Sequence, residues 1–319
     1  TEGQALEYTL LCDGEPVFAR RIDCIVPAQS ERFIPLELPA FGEGEYALTC
    51  SLRLKKAALW AEEDFETAFG QFVFLGNQRV EAKTEKKLRV VRGDVNLGVH
   101  GDGLSMLFCR QESSRHEGGM TSLKGDFGEL LQKAPKPFYW RATTDNDWGT
   151  RQGARCALWY AATQFQLMEK MEETLQENGL PAVTYTYRLP LSETLRVTVR
   201  YAVQSDGSVL VSADYPGAKG LPELPLFGLQ LHLPPEFEYF TYYGYGPEEN
   251  YRDRDHGARL GLFEGRASEN LSKYVMPQEC GNRTGVRFAE VVNDEGHGIR
   301  LTAKDAPFEL NVLPYTPME

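Results

Sequence analysis

No stretch of this sequence approaches the roughly 18 consecutive apolar residues of a membrane-spanning helix, so a membrane is not an expected partner. A basic excess is also missing. Lys and Arg number 34 against 46 Asp and Glu, a formal net charge of −12. Nucleic acid, whose phosphates call for a basic surface, is therefore excluded as an expected partner. No Cys-x-x-Cys pair and no His-x-x-x-His pattern occurs, so the usual spacings of metal ligands are absent and no metal site is assigned. The six cysteines (Cys12, Cys24, Cys50, Cys109, Cys156 and Cys280) are scattered, several in apolar runs. They read as buried free thiols of a reducing cytosol, with disulfides the alternative. The histidines His100, His116, His232, His256 and His297 form no cluster and are expected as solvated or core residues. There is no Gly-x-Ser-x-Gly elbow and no phosphate-cradling glycine loop. The start, Thr1-Glu2-Gly3-Gln4, has neither the basic nor the apolar stretch of a signal peptide, and reads as the abrupt start of an excised fragment.

What is present is β signal, over a length suited to two domains. Leu6 to Leu11 runs into Asp13-Gly14, a tight-turn pair, before Val17-Phe18-Ala19. Arg32 to Leu38 leads to Pro39, and Phe41-Gly42-Glu43-Gly44 is a turn cluster. Tyr46 to Leu52 alternates, with Tyr46, Leu48 and Cys50 opposite Ala47, Thr49 and Ser51, and Ala68 to Leu75 gives a further strand. This predicts an immunoglobulin-like β-sandwich over residues 1–80. Gly76 to Lys87 is polar and charged and reads as a boundary, the alternative being a long hairpin in one domain. From Leu88 the β signals continue. Val183 to Arg188, Leu195 to Val203 and Val209 to Tyr215 form an antiparallel meander with a Ser205-Asp206-Gly207 turn. One helix is expected near Gly153 to Gln164. Helices do not alternate with strands, so the class is all-β, with a large antiparallel sandwich over 88–319.

Three segments are unlike ordinary surface. In Phe138 to Gly149, aromatic residues flank Arg141, Asp145, Asn146 and Asp147. The residue types suit a structural turn, a sugar-facing loop in which rings stack on the pyranose face, or a calcium loop. The last lacks the later ligands. In Tyr242 to Arg254, Gly244, Gly246 and Pro247 interrupt an aromatic strand ahead of Glu248, Glu249, Asn250, Asp253 and Arg254. Glu248 and Glu249 are adjacent in extended chain and point to opposite faces, a poor arrangement for two glycosidase carboxylates flanking one bond. An ion-pair network pinning a loop is the other reading. In Tyr274 to Arg283, the polar Gln278, Glu279, Asn282 and Arg283 either line a concave face or satisfy one another.

Taken in order, these segments resemble the C-terminal part of a bacterial family 2 β-galactosidase. Arg141 to Gly149 is similar to R-A-P-x-D-N-D-x-G, with Thr143 in the place of Pro. Gly244 to Arg254 is similar to G-x-G-P-x-E-N-Y-x-D-R, and Tyr274 to Arg283 to Y-V-x-P-Q-E-x-G-x-R. Asn311 to Tyr315 resembles a later strand ending in a Pro-Tyr turn. The resemblance implies an immunoglobulin-like domain four and a galactose mutarotase-like supersandwich, domain five, the latter cut short at its C-terminal end. It places the catalytic glutamates and the magnesium and sodium sites in a barrel that this chain lacks, so no catalytic residue and no cofactor is assigned here. Expected partners are the catalytic domains of the same polypeptide, a galactoside substrate in the whole enzyme and further copies in a homo-oligomer, in the cytoplasm. Carbohydrate-facing candidates are Arg141, Asp145, Asn146, Asp147, Glu249, Asn250, Asp253, Arg254, Gln278, Glu279 and Arg283. A separate carbohydrate-binding or mutarotase-like module, and a pure scaffold, remain alternatives.

Overall fold

The computed structural model describes residues 1–77, 84–112 and 118–318. Half of the expected boundary segment (78–83) and His116 lie outside the described residues. The first part is one four-stranded antiparallel sheet of β1 (Gln4–Cys12), β2 (Glu15–Asp23), β3 (Glu45–Leu54) and β4 (Glu66–Leu75), in the order β2-β1-β3-β4. Asp13 and Gly14 both take positive φ in the turn between β1 and β2, as their pairing in the sequence requires. Residues facing one another across a ladder share a side of the sheet. Tyr8, Leu10, Tyr46, Leu48 and Phe74 thus form one apolar face. It is covered in part by the segment after β2, from which Phe41 packs edge-on against Tyr46 and Phe74. Arg32 to Leu38, expected as a strand, forms none. Pro35 interrupts that stretch and Pro39 ends it, and proline cannot donate to a ladder.

The opposite face carries Ala47, Thr49 and Ser51, all buried although less apolar than their neighbours. A second body sits on them, and it consists of antiparallel sheets. The strands β5 (Arg89–Arg92), β6 (Asn96–Gly101), β7 (Leu104–Cys109), β8 (Met120–Gly125) and β9 (Gly128–Glu129) pair in sequence order. β10 (Lys133–Phe138) leads into three short helices, α1 (Asp145–Thr150), α2 (Gln152–Arg155) and α3 (Ala157–Phe165). The meander of β11 (Leu167–Leu175), β12 (Pro181–Arg188), β13 (Arg196–Val203) and β14 (Val209–Asp214) follows. β15 (Gly228–His232) pairs back onto β10. Another sheet has the order β17-β16-β19-β20, from β16 (Tyr239–Gly246), β17 (Arg259–Arg266), β19 (Phe288–Val292) and β20 (Gly298–Thr302). β18 (Asn282–Val286) pairs with β21 (Phe308–Asn311).

The core follows from the alternation. Leu97, Val99, Met106 and Phe108 from β6 and β7 meet Val183, Tyr185, Val199 and Tyr201 from β12 and β13, two sheets packed face to face. α3 seats Trp159 and Ala162 against Tyr139, Leu195 and Val197. Phe240, Tyr242, Ala289, Val291 and Leu310 fill a further cluster. The architecture is an all-β sandwich. No helix among the described residues is long and apolar enough to cross a membrane.

The first sheet is bolted to the large body by long-range contacts. Arg287 donates to both carboxylate oxygens of Glu45, at 2.9 Å each. Arg259 pairs with Glu66 and lies 3.9 Å over the Phe69 ring. The side chain of Gln71 donates to the Leu260 carbonyl (3.0 Å) and accepts its N–H (2.8 Å). Ala47, Tyr243 and Leu260 form the apolar centre of this contact.

Candidate functional site

The three unusual segments converge at one end of a large cleft, locked together residue by residue. Asp145 to Thr150, expected as a turn or loop, is instead the helix α1. Thr144 is its N-cap, and its side chain accepts the Asp147 N–H while the Asp147 carboxylate accepts the Thr144 N–H (2.8 Å). This reciprocal capping box was legible as Thr-x-x-Asp. Asp147 is only 4% exposed and is gripped by Arg141 through two bonds of 2.5 and 3.1 Å. Burial opposes its ionisation, but Arg141 and the Thr144 N–H together hold its carboxyl below the ordinary carboxylate range. Both carboxylate oxygens of Asp147 are thereby engaged inside the segment. Asp145 and Asn146 are exposed on the first turn.

The third segment clasps the first. Glu279 accepts the Ala142 N–H (3.0 Å) and the side-chain amide of Asn311 (3.2 Å). Gln278 accepts the Asp145 N–H (3.2 Å). Burial pushes the Glu279 carboxyl up, against the pull of the Ala142 N–H and of Arg141, so of these carboxylates it is the one whose neutral form the fold favours.

The second segment is clasped in turn. Gly246 ends β16 where a Cβ would stand 2.3 Å from the Tyr242 hydroxyl, so the sharp bend there needs glycine. Beyond it, Glu248 is exposed and Glu249 points inward, as neighbours in extended chain do. Glu249 accepts from Ser272 (2.6 Å), the Gly281 N–H (2.7 Å) and the Tyr274 hydroxyl, and pairs with Arg254 at 3.3 Å. Burial resists its charge, yet these donors keep its carboxyl below the usual range. Asn250, 1% exposed, donates to the carbonyls of Tyr245 (2.7 Å) and Glu248 (3.0 Å) and accepts from the Thr284 N–H (3.0 Å) and hydroxyl. Arg283 donates to Tyr242 (2.9 Å) and Asn270 (3.1 Å). Arg254 also donates to Tyr274 (2.9 Å) and lies over the Tyr251 ring at 4.9 Å. Asp253 is exposed at the cleft edge.

The candidates therefore separate. Asn250, Arg283, Glu249, Asp147 and Arg141 spend their polar atoms on the protein itself, which is the work of fixing loops. Asn146 and Asp253, with the 69% exposed Trp148, are the groups left facing outward, while the exposed Asp145 carboxylate accepts from the Gln278 amide at 3.4 Å. Tyr251, which interacts with Glu249 and Glu279, and Asn311 belong to the same network and were not singled out from the sequence. Among the described residues no group of three or more His, Cys, Asp and Glu side chains is placed to hold a metal ion.

Fold and site together define a multi-sheet antiparallel β protein whose polar cluster is mostly internal bracing. Residues 105–319 match the family described as beta galactosidase small chain, and residues 1–74 match beta-galactosidase, domain 4. A beta-galactosidase of Halalkalibacterium halodurans is 39% identical over 326 residues, covering 100% of this chain and 32% of that protein. One of Clostridium acetobutylicum is 39% identical over 271 residues, covering 83% of this chain and 29% of that protein. A beta-galactosidase small subunit of Latilactobacillus sakei is 32% identical over 267 residues, covering 75% of this chain and 82% of that protein. The chain belongs to the beta-galactosidase family and corresponds to a part of its longer members. It spans about a third of the length of the Halalkalibacterium and Clostridium relatives.

Proposed function

We propose that the chain is the non-catalytic C-terminal portion of a glycoside hydrolase family 2 beta-galactosidase that hydrolyses terminal β-D-galactosides such as lactose. Residues 1–80 act as domain four and 88–319 as a mutarotase-like domain five. They brace the catalytic barrel, wall the substrate entrance and contribute to homo-oligomeric assembly in the cytoplasm. One observation carries this reading: Glu249, Asp147 and Arg141 are bonded to their own and neighbouring loops, so the conspicuous acid cluster is spent on architecture. Cleavage with retention needs two carboxyl groups roughly 5 Å apart across one bond and free to act on it. The test is hydrolysis of a chromogenic galactoside. The 319-residue protein is expected to be inactive alone and to support turnover when joined to the remainder of a longer relative. Turnover by the isolated chain that scales with its concentration and survives repurification overturns the proposal.

A separate carbohydrate-binding module is favoured by the exposed Trp148, Asp145 and Asn146. Calorimetric titration with galactose and lactose decides it, and absence of binding at saturating sugar removes it.

A further inference from the structure

Asn178 is the one asparagine in this sequence that is followed by glycine. The pair lies in the turn between β11 and β12, and both residues are exposed. Gly179 takes a φ of +76°, and a Cβ built on it would meet nothing within 4 Å. With no side chain beside it, the Gly179 backbone nitrogen is uncovered.

The hydrogen bonds of the turn bring this nitrogen and the Asn178 side chain together. The carboxamide oxygen of Asn178 accepts the Leu180 N–H at 2.9 Å. Such an Asx turn folds the carboxamide back over its own chain, toward the Gly179 nitrogen that stands between the two bonded residues. The same Leu180 N–H is placed to support the charge that the oxygen gains when its carbonyl carbon is attacked. The carboxamide nitrogen donates to the Val203 carbonyl over 3.4 Å, a long bond. That carbonyl also accepts from the Gln176 side chain at 2.8 Å, so it stays paired when the Asn178 nitrogen leaves. One contact opposes the attack. The Gly179 N–H donates to the Gln176 carbonyl at 3.0 Å, and this bond must open first. In an exposed turn, local opening of that kind has a low free energy.

We infer that Asn178 is a site of spontaneous covalent modification, in which the folded turn converts its own side-chain amide to a carboxylate with water as the only co-reactant. The Gly179 nitrogen gives its proton to hydroxide and attacks Cγ of Asn178. The N–Cγ bond forms, the Cγ–Nδ2 bond breaks, and the departing nitrogen takes up a proton from water and leaves as ammonia. Water then opens the resulting succinimide ring at one of its two C–N bonds. Opening at Cγ gives aspartate at position 178, and opening at the backbone carbonyl carbon gives the isoaspartyl form. The two products differ in their fit. Aspartate keeps an oxygen for the Leu180 N–H and places its charge in the small recess that Asn178 shares with Arg200. The isoaspartyl form lengthens the backbone of a turn that sets Leu175 opposite Pro181. Because Asn178 also lines the large cleft, either product adds a negative charge at its edge. None of this depends on the enzyme to which the chain contributes.

The test incubates the folded 319-residue protein, and the same chain unfolded in urea, at neutral and mildly alkaline pH. Peptide mass spectrometry reads the exchange of NH2 for OH, and an isoaspartyl methyltransferase counts the isoaspartyl groups. In the folded protein the peptide that spans Asn178 and Gly179 should be modified ahead of every other asparagine-containing peptide. Its rate should be within about tenfold of the unfolded chain or faster, because the turn already holds the reacting atoms together. The rate should rise about tenfold per pH unit, since the attacking nitrogen must first lose its proton. Asn178→Gln, whose longer side chain closes a less favourable ring, should lose the signal. Modification of the folded protein more than about tenfold slower than of the unfolded chain overturns the inference, because the turn would then be protecting the site. Another asparagine reacting first in the folded protein, or a signal that persists in Asn178→Gln, overturns it as well.

Discussion

The carboxylate of Glu279 accepts the backbone N–H of Ala142 at 3.0 Å, a contact between residues 137 apart in sequence. It holds the first unusual segment against the third, and it does so from a buried position that favours the protonated acid. A carboxyl whose folded pKa is raised contributes stability that is complete below its unfolded value, about 4.3, and is lost as pH rises through the folded value. Glu279→Gln removes that loss. Its melting temperature relative to wild type should rise between about pH 4 and pH 7.5, because the variant has no raised carboxyl to ionise there. A difference that stays flat across that range rules out a raised Glu279.

Asp147 and Asp145 lie two residues apart and should respond in opposite ways. Asp147→Ala strips Arg141 of its partner and the Thr144 N–H of its acceptor in a site that is nearly closed to solvent. The expected loss is about 2–3 kcal/mol in urea unfolding, less than for a fully buried pair because Arg141 keeps some solvent contact. Asp145→Ala, on an exposed first turn, should cost under about 1 kcal/mol. Equal losses would contradict the division of this motif into a bracing and an open acid. Asp147, with its lowered pKa, contributes stability that is present above about pH 3.9 and is lost as pH falls through the folded value. The gap between wild type and Asp147→Ala should therefore shrink in acid.

Asn250 joins the second segment to Thr284 with both ends of its amide in use. Asn250→Ala removes the bonds to two carbonyls and to the Thr284 N–H at a buried position, a loss of about 3 kcal/mol. Asn250→Asp should not rescue it, because a carboxylate would face the Tyr245 and Glu248 carbonyls. Rescue by Asp, read from urea midpoints, would show that the donor side of this amide is dispensable.

Sequence patterning reached the strands of the first sheet and of the β12-β13-β14 meander, and stopped at two kinds of feature. The turns at Asp13-Gly14 and Ser205-Asp206-Gly207 were readable because each closes on neighbours, Asp206 for instance accepting the Ser208 N–H at 2.8 Å. The buried face of β3 was not readable from its own residues. Ala47, Thr49 and Ser51 look like a solvent face, and they are buried because a second body covers them. The site motifs were visible as unusual, yet whether Glu249 or Asn250 faced a ligand or its own loop depended on partners such as Ser272, Gly281 and Thr284. Composition does not encode that distinction, and hydrogen-bond geometry does.

The same long-range contacts give a prediction about cooperativity. Glu45 and Arg287, separated by 242 residues, meet in a two-pronged pair at 2.9 Å, and Glu66 pairs with Arg259 beside Phe69. Both pairs are largely shielded, with side chains between about a sixth and a third exposed. A double-mutant cycle on Glu45→Ala and Arg287→Ala should return a coupling of about 1–2 kcal/mol, as expected of partners in direct contact. The wild-type chain should unfold in one transition followed alike by calorimetry and by fluorescence of Trp60, which lies in the first part, and of Trp159, which lies in the second. Glu45→Ala combined with Glu66→Ala removes both ionic bolts and leaves the small apolar centre of Ala47, Tyr243 and Leu260. The first sheet should then melt ahead of the large body, giving two resolved transitions. A single transition in that double variant would mean that the apolar centre and Gln71 suffice to join the two bodies.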